Sequence, residues 1–91
     1  MPLQISAPAQ EVFAMIRDSI RAAIPDAEIE VSGGGAHFEI RVTSGAFDGK
    51  NSLARQRMVY AAIAHLMKGE GAPIHAIDRL ETSVPDPSSA G

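Results

Sequence analysis

Three consecutive glycines set between two alternating stretches constrain this chain more than any other feature. Glu28-Ile29-Glu30-Val31 alternates polar and apolar residues, as a half-buried strand does, because successive strand side chains point to opposite faces. His37-Phe38-Glu39-Ile40-Arg41-Val42-Thr43 alternates again, with Phe38, Ile40 and Val42 on one face. Ser32-Gly33-Gly34-Gly35 lies between them. Glycine adopts positive φ without a steric cost, so the run predicts the turn of an antiparallel hairpin.

Helices flank the hairpin. Val12, Phe13, Ile16, Ile20, Ala23 and Ile24 fall on one stripe at helical spacing, while Glu11, Arg17, Asp18 and Arg21 lie off it. Ser6-Ala7-Pro8 reads as the helix entry and Pro25-Asp26 as its stop, which predicts a first helix over about residues 9–23. Residues 44–50 form a second loop, and Asn51 or Ser52 can cap a second helix running to residue 67. Val59, Ala62, Ile63 and Leu66 give that helix its buried stripe. Gly69-Glu70-Gly71-Ala72-Pro73 ends it, and residues 74–80 read as a third strand. A strand–helix–strand crossover within one sheet sets its two strands parallel. The fold class is therefore α+β: a small three-stranded mixed sheet with helices on one face, in αββαβ order. KH-like folds share this order, a topological likeness that carries no argument for RNA binding.

Ninety-one residues make a single domain, with an ordered core expected over about residues 9–82 and a tail, 83–91, composed like a frayed end. With 45% hydrophobic and 21% charged residues, the chain reads as globular rather than disordered. No repeat is visible. The N-terminal residues do not read as a signal peptide, and no apolar run approaches the roughly 18 residues of a membrane span. A cytoplasmic protein without a membrane partner is the expectation.

The absence of cysteine excludes disulfides, and any metal site must use histidine, carboxylate or a partner's ligands. A net charge of −3, no tryptophan and one tyrosine argue against a free-standing nucleic-acid binder. No enzyme emerges: there is no cysteine nucleophile, no serine in a strand–elbow–helix setting, and the carboxylates are scattered.

Two local features carry chemistry. His37 opens the second strand and His75 lies at the start of the third. If Ile74 and Ala76 face the helices, both imidazoles emerge at one end of the bare sheet face, on strands about 4.8 Å apart if adjacent. Neutral imidazole is a good ligand for zinc, copper and iron, and two such ligands leave a shell for a partner or an exogenous thiol to complete. The competing reading is a pair of packed, hydrogen-bonded histidines. Ile77 falls on the face assigned to His75, so the register of the third strand stays open. His65, without a partner at ligand spacing, reads as a surface residue. The second feature is Lys50, Arg55 and Arg57, at a glycine-containing loop and a helix N-terminus. It reads either as a phosphate-backbone contact or as a solvated helix face near Asp48.

Taken as a set, Phe47-Asp48-Gly49-Lys50, Arg55-Gln56-Arg57-Met58-Val59-Tyr60 and Ile74-His75-Ala76-Ile77 resemble the BolA family. Ser32-Gly33-Gly34-Gly35-Ala36-His37-Phe38 adds the family's hairpin turn and His-Phe pair, most similar to the IbaG-like branch. The resemblance implies an α+β, KH-like fold and a non-enzymatic adaptor that pairs with a monothiol glutaredoxin in iron–sulfur cluster assembly, trafficking or iron sensing. It further implies a 2Fe-2S cluster shared with the glutaredoxin cysteine and glutathione, with His75 as ligand on this side and no cofactor in the isolated protein. His37 is the nearby substitute for a second ligand. Some members regulate transcription in stress response and cell shape by binding DNA, which gives Lys50, Arg55 and Arg57 their alternative role. The state expected in solution is a monomer or weak homodimer. Three departures from the family pattern stand out. Gln56 replaces a histidine frequent between the two arginines, and the hairpin loop holds glycines where other members carry cysteine or histidine. Thr82-Ser83-Val84-Pro85-Asp86 follows the family's ending only loosely, so a final helix is expected to be short or absent.

Overall fold

The structure is a computed structural model that describes residues 9–85. Helix α1 (Ala9–Ala23) forms where Val12, Ile16 and Ile20 recur every fourth position, and all three are buried together with Ile24 just past its end. Glu11 in the first turn and Arg21 in the last complement the helix dipole. Phe13 flanks the stripe, half-buried, and meets Phe38 edge-on with ring centroids 5.9 Å apart. Ala23, expected on the stripe, is exposed. The expected cap at Ser6-Ala7-Pro8 lies outside the described residues.

Strands β1 (Glu28–Gly34) and β2 (His37–Thr43) pair antiparallel, with Ile29 opposite Val42 and Val31 opposite Ile40. That register sets apolar side chains against each other on the core face, and it places the turn at Gly35-Ala36 rather than across residues 32–35. Both turn residues have positive φ, 62° and 68°, as a two-residue hairpin turn following the strand twist requires. Gly33 has a different role. It is paired within β1 at φ 115°, and a Cβ there would lie 2.4 Å from the carbonyl oxygen of His37. The glycine permits a close backbone approach.

After β2 the chain is clamped by Asp26. Its carboxylate accepts from the Ser44 hydroxyl at 2.6 Å and from the Gly45 N–H at 2.9 Å. Ser44 is fully buried and caps the 3-10 turn Gly45–Phe47, accepting from Ala46 N–H at 3.0 Å. The turn drives Phe47 into the core, where it is fully buried.

Helix α2 (Ser52–Ile63) is capped by Asn51, whose side-chain oxygen accepts from Ala54 N–H at 2.9 Å. It ends earlier than expected and tightens into a 3-10 turn, Ala64–Leu66. Val59, Ile63 and Leu66 are buried, and Ala62 packs against them half-buried.

Strand β3 (Ala76–Ser83) runs parallel to β2, and the sheet order is β1-β2-β3. It starts two residues later than expected, because Ile74 is tied elsewhere. Ile74 is buried, and its N–H donates to the Leu66 carbonyl at 3.2 Å. The helices cover the sheet face bearing Phe38, Ile40 and Val42, and the opposite face is bare.

Candidate functional site: the histidine rim at one end of the sheet

The rim is built where the hairpin turn meets the entry to β3. The carbonyl of Ala36 accepts from His75 N–H at 2.8 Å and from Ala76 N–H at 3.2 Å. His75 is thereby held by its backbone beside the turn while its side chain stays exposed. His37 pairs with Ala76 across the ladder, so both histidines occupy the same end of the sheet, and both are exposed.

The register of β3 settles which of its residues face the core. Phe38 pairs with Ile77 but Glu39 pairs with Arg79, so Asp78 is an extra residue, a β-bulge. Ile77 and Leu80, three positions apart, both pack against the core. A regular strand could not do this, since its faces alternate. The expectation that Ala76 shares a core-facing side with Ile74 is therefore corrected: Ile77 takes that role. The alternation that would set the His75 side chain on the bare face does not hold either, leaving its exposure and its place at the His37 end of the sheet.

The bulge also turns Asp78 outward. His37 Nδ1 lies 3.3 Å from Asp78 Oδ1, with both side chains just over half exposed. No group of three or more His, Cys, Asp or Glu side chains gathers into a metal shell among the described residues. The donors at this rim are thus imidazole nitrogens with one carboxylate, and a complete metal shell needs ligands from beyond the described residues.

The rest of the bare face is electrostatically closed. Arg41, on the central strand, reaches Glu30 on β1 at 3.4 Å and Glu81 on β3 at 3.3 Å, and Arg79 meets Glu81 at 2.7 Å. Exposed pairs of this kind contribute about 0–1 kcal/mol each. Their larger effect is to neutralise both arginines, so the sheet offers no basic stripe to a phosphate backbone.

The three cations of the alternative site differ in their settings. Arg55 Nε donates to the Phe47 carbonyl at 3.2 Å, and that carbonyl also accepts from Lys50 N–H at 3.0 Å. Arg55 is half-buried and braces the loop, whereas Lys50 and Arg57 are exposed. Residues two apart on a helix project to nearly opposite sides, so Arg55 and Arg57 do not share a face. His65 is exposed, as expected, and its Nε2 lies 3.2 Å from Ser19 Oγ, a contact between the helical elements that residue spacing did not reveal. Asp78 was also missed. The three-residue interval between Ile77 and Leu80 was the available signal for its bulge.

Fold and rim together define a small α+β module with two exposed histidines at one end of its sheet. The BolA-like protein model matches residues 6–86, and the chain belongs to that family. Members are adaptor and regulatory proteins, not enzymes. Among curated relatives, a protein from the rpoN-murA intergenic region of Acinetobacter guillouiae is 36% identical over 63 residues, covering 68% of this chain and 72% of its own. Protein BOLA2 of Arabidopsis thaliana is 43% identical over 58 residues, covering 63% of this chain and 58% of its own length, so the match spans little more than half of that relative. A bolA homologue from Coxiella burnetii shares the fold with a TM-score of 0.69 and 28% identity, covering 91% of this chain and 97% of its own. No helix among the described residues is long and apolar enough to cross a membrane.

Proposed function

We propose that this protein is a cytoplasmic adaptor of the IbaG-like branch that partners a monothiol glutaredoxin in iron–sulfur cluster assembly, trafficking or iron sensing. One observation carries the reading: His75 is exposed, yet its backbone is fixed to the hairpin turn through the Ala36 carbonyl. Its imidazole is thus available to an incoming metal centre without a large cost in chain ordering.

The donor set fits half of a 2Fe-2S shell. Imidazole can replace thiolate on one iron of such a cluster. A chain without cysteine can supply only that half, and the glutaredoxin cysteine with glutathione would supply the thiolates. The residues holding the cluster on this side would be His75 and, as the second donor, His37. When bound, the cluster supplies redox and iron-sensing chemistry; this chain supplies nitrogen donors, their position and the docking face.

The reading is tested by titrating the protein into cluster-loaded monothiol glutaredoxin. A new visible absorption and circular-dichroism signature that saturates at a fixed ratio is expected. Spectra that merely sum the two components would remove the proposal.

A further inference from the structure

We infer that Asp78 is a positioning residue for His37: it holds the ring with Nδ1–H toward the carboxylate and leaves Nε2 as the donor offered to a metal at the rim. This inference rests on the rim being a metal-facing site, as proposed above. It goes further by naming the donor atom and the residue that sets it.

The contact is His37 Nδ1 to Asp78 Oδ1, at 3.3 Å. An ionised carboxylate has no proton to give, so the hydrogen in this contact comes from Nδ1. In a neutral ring the lone pair then belongs to Nε2. A carboxylate on the far nitrogen of a metal-binding histidine fixes its tautomer and orientation and raises its basicity as a ligand. The pair exists because of the bulge. Without the extra residue, β3 would keep Ala76 and Arg79 outward and Ile77 and Leu80 inward, in the alternation the core needs. With Asp78 present, the bulge is what lets Ile77 and Leu80, three positions apart, both face the core. The same extra residue sets an outward carboxylate within reach of His37.

Side-chain nitrogen NMR of the isolated, 15N-labelled protein tests this independently of any glutaredoxin. In the wild type, the His37 ring should carry its proton on Nδ1, with a bare Nε2 whose resonance moves when Zn2+ is added. Asp78→Ala should shift the ring toward the Nε2–H form and weaken the zinc response several-fold, and Asp78→Asn, which retains an acceptor oxygen, should restore part of both. A wild-type ring protonated on Nε2, a ring unchanged in Asp78→Ala, or a zinc response at Nδ1 would overturn the inference. Failure of the glutaredoxin proposal would show instead in the optical titration, with the ring resonances as expected.

Discussion

The His75 N–H donates to the Ala36 carbonyl at 2.8 Å, so the position of the rim histidine depends on the geometry of a two-residue turn. Gly33→Ala should disturb that geometry. A Cβ there would meet the His37 carbonyl oxygen at 2.4 Å and add a side chain at φ 115°. A loss of about 2–3 kcal/mol is expected, read by urea denaturation, with the amide resonance of His75 displaced. Ala36→Gly should do the opposite. A left-handed alanine costs about 1–2 kcal/mol and glycine gives back part of that as chain entropy, so stability should rise by up to about 1 kcal/mol.

The two arginines of α2 should separate. Arg55→Ala removes a charged donor from the Phe47 carbonyl and should cost about 1–2 kcal/mol, while Arg57→Ala should stay within about 0.5 kcal/mol. The same pair examines the DNA-binding alternative. Salt-dependent duplex binding that falls equally on charge reversal at either arginine would favour that role. Binding undetectable at low salt is the result expected here.

Acid should weaken the clamp beneath Phe47. The Ser44 hydroxyl, and after it the Gly45 N–H, hold the Asp26 carboxyl below its ordinary value of 3.8, with burial pulling weakly the other way. A carboxyl depressed in the folded state stabilises it above the unfolded value, and that contribution fades as pH falls through the folded one. Asp26→Asn should therefore be less stable than the wild type near neutrality, and the two curves should converge as pH falls below about 3.8. Denaturation midpoints across an acid series read the convergence.

Much of the architecture is legible in the residues. The four-residue spacing of Val12, Ile16 and Ile20 gives α1, and the alternation of Phe38, Ile40 and Val42 gives β2 and its core face. The turn was harder to read, because three glycines mark a flexible segment without saying which of them turns. Gly33 serves close approach, and a left-handed Ala36, which propensity does not suggest, completes the turn. The rim was half legible. Both histidines could be assigned to one end of the sheet from strand order, but the His37–Asp78 contact depends on a bulge, which is a matter of register and not of composition. The brace that Arg55 makes was illegible for a related reason: a cation beside a loop looks free until its carbonyl partner is known.

Removing Asp78 altogether should be tolerated. The shortened strand would read Ala76, Ile77, Arg79, Leu80, a regular out-in-out-in pattern. A folded protein is expected, destabilised by less than about 1 kcal/mol and melting within about 4–8 °C of the wild type. A collapse of cooperative unfolding would show that packing needs the bulged backbone itself, beyond the inward placement of Ile77 and Leu80.

The most direct measurement is the visible circular dichroism of cluster-loaded monothiol glutaredoxin titrated with the His75→Ala protein, beside the wild type. His75 is exposed, so this variant should remain folded, and a matching far-ultraviolet spectrum would verify it. Loss of the mixed-complex signature is expected. A signature identical to that of the wild type would contradict the assignment of His75 as the ligand.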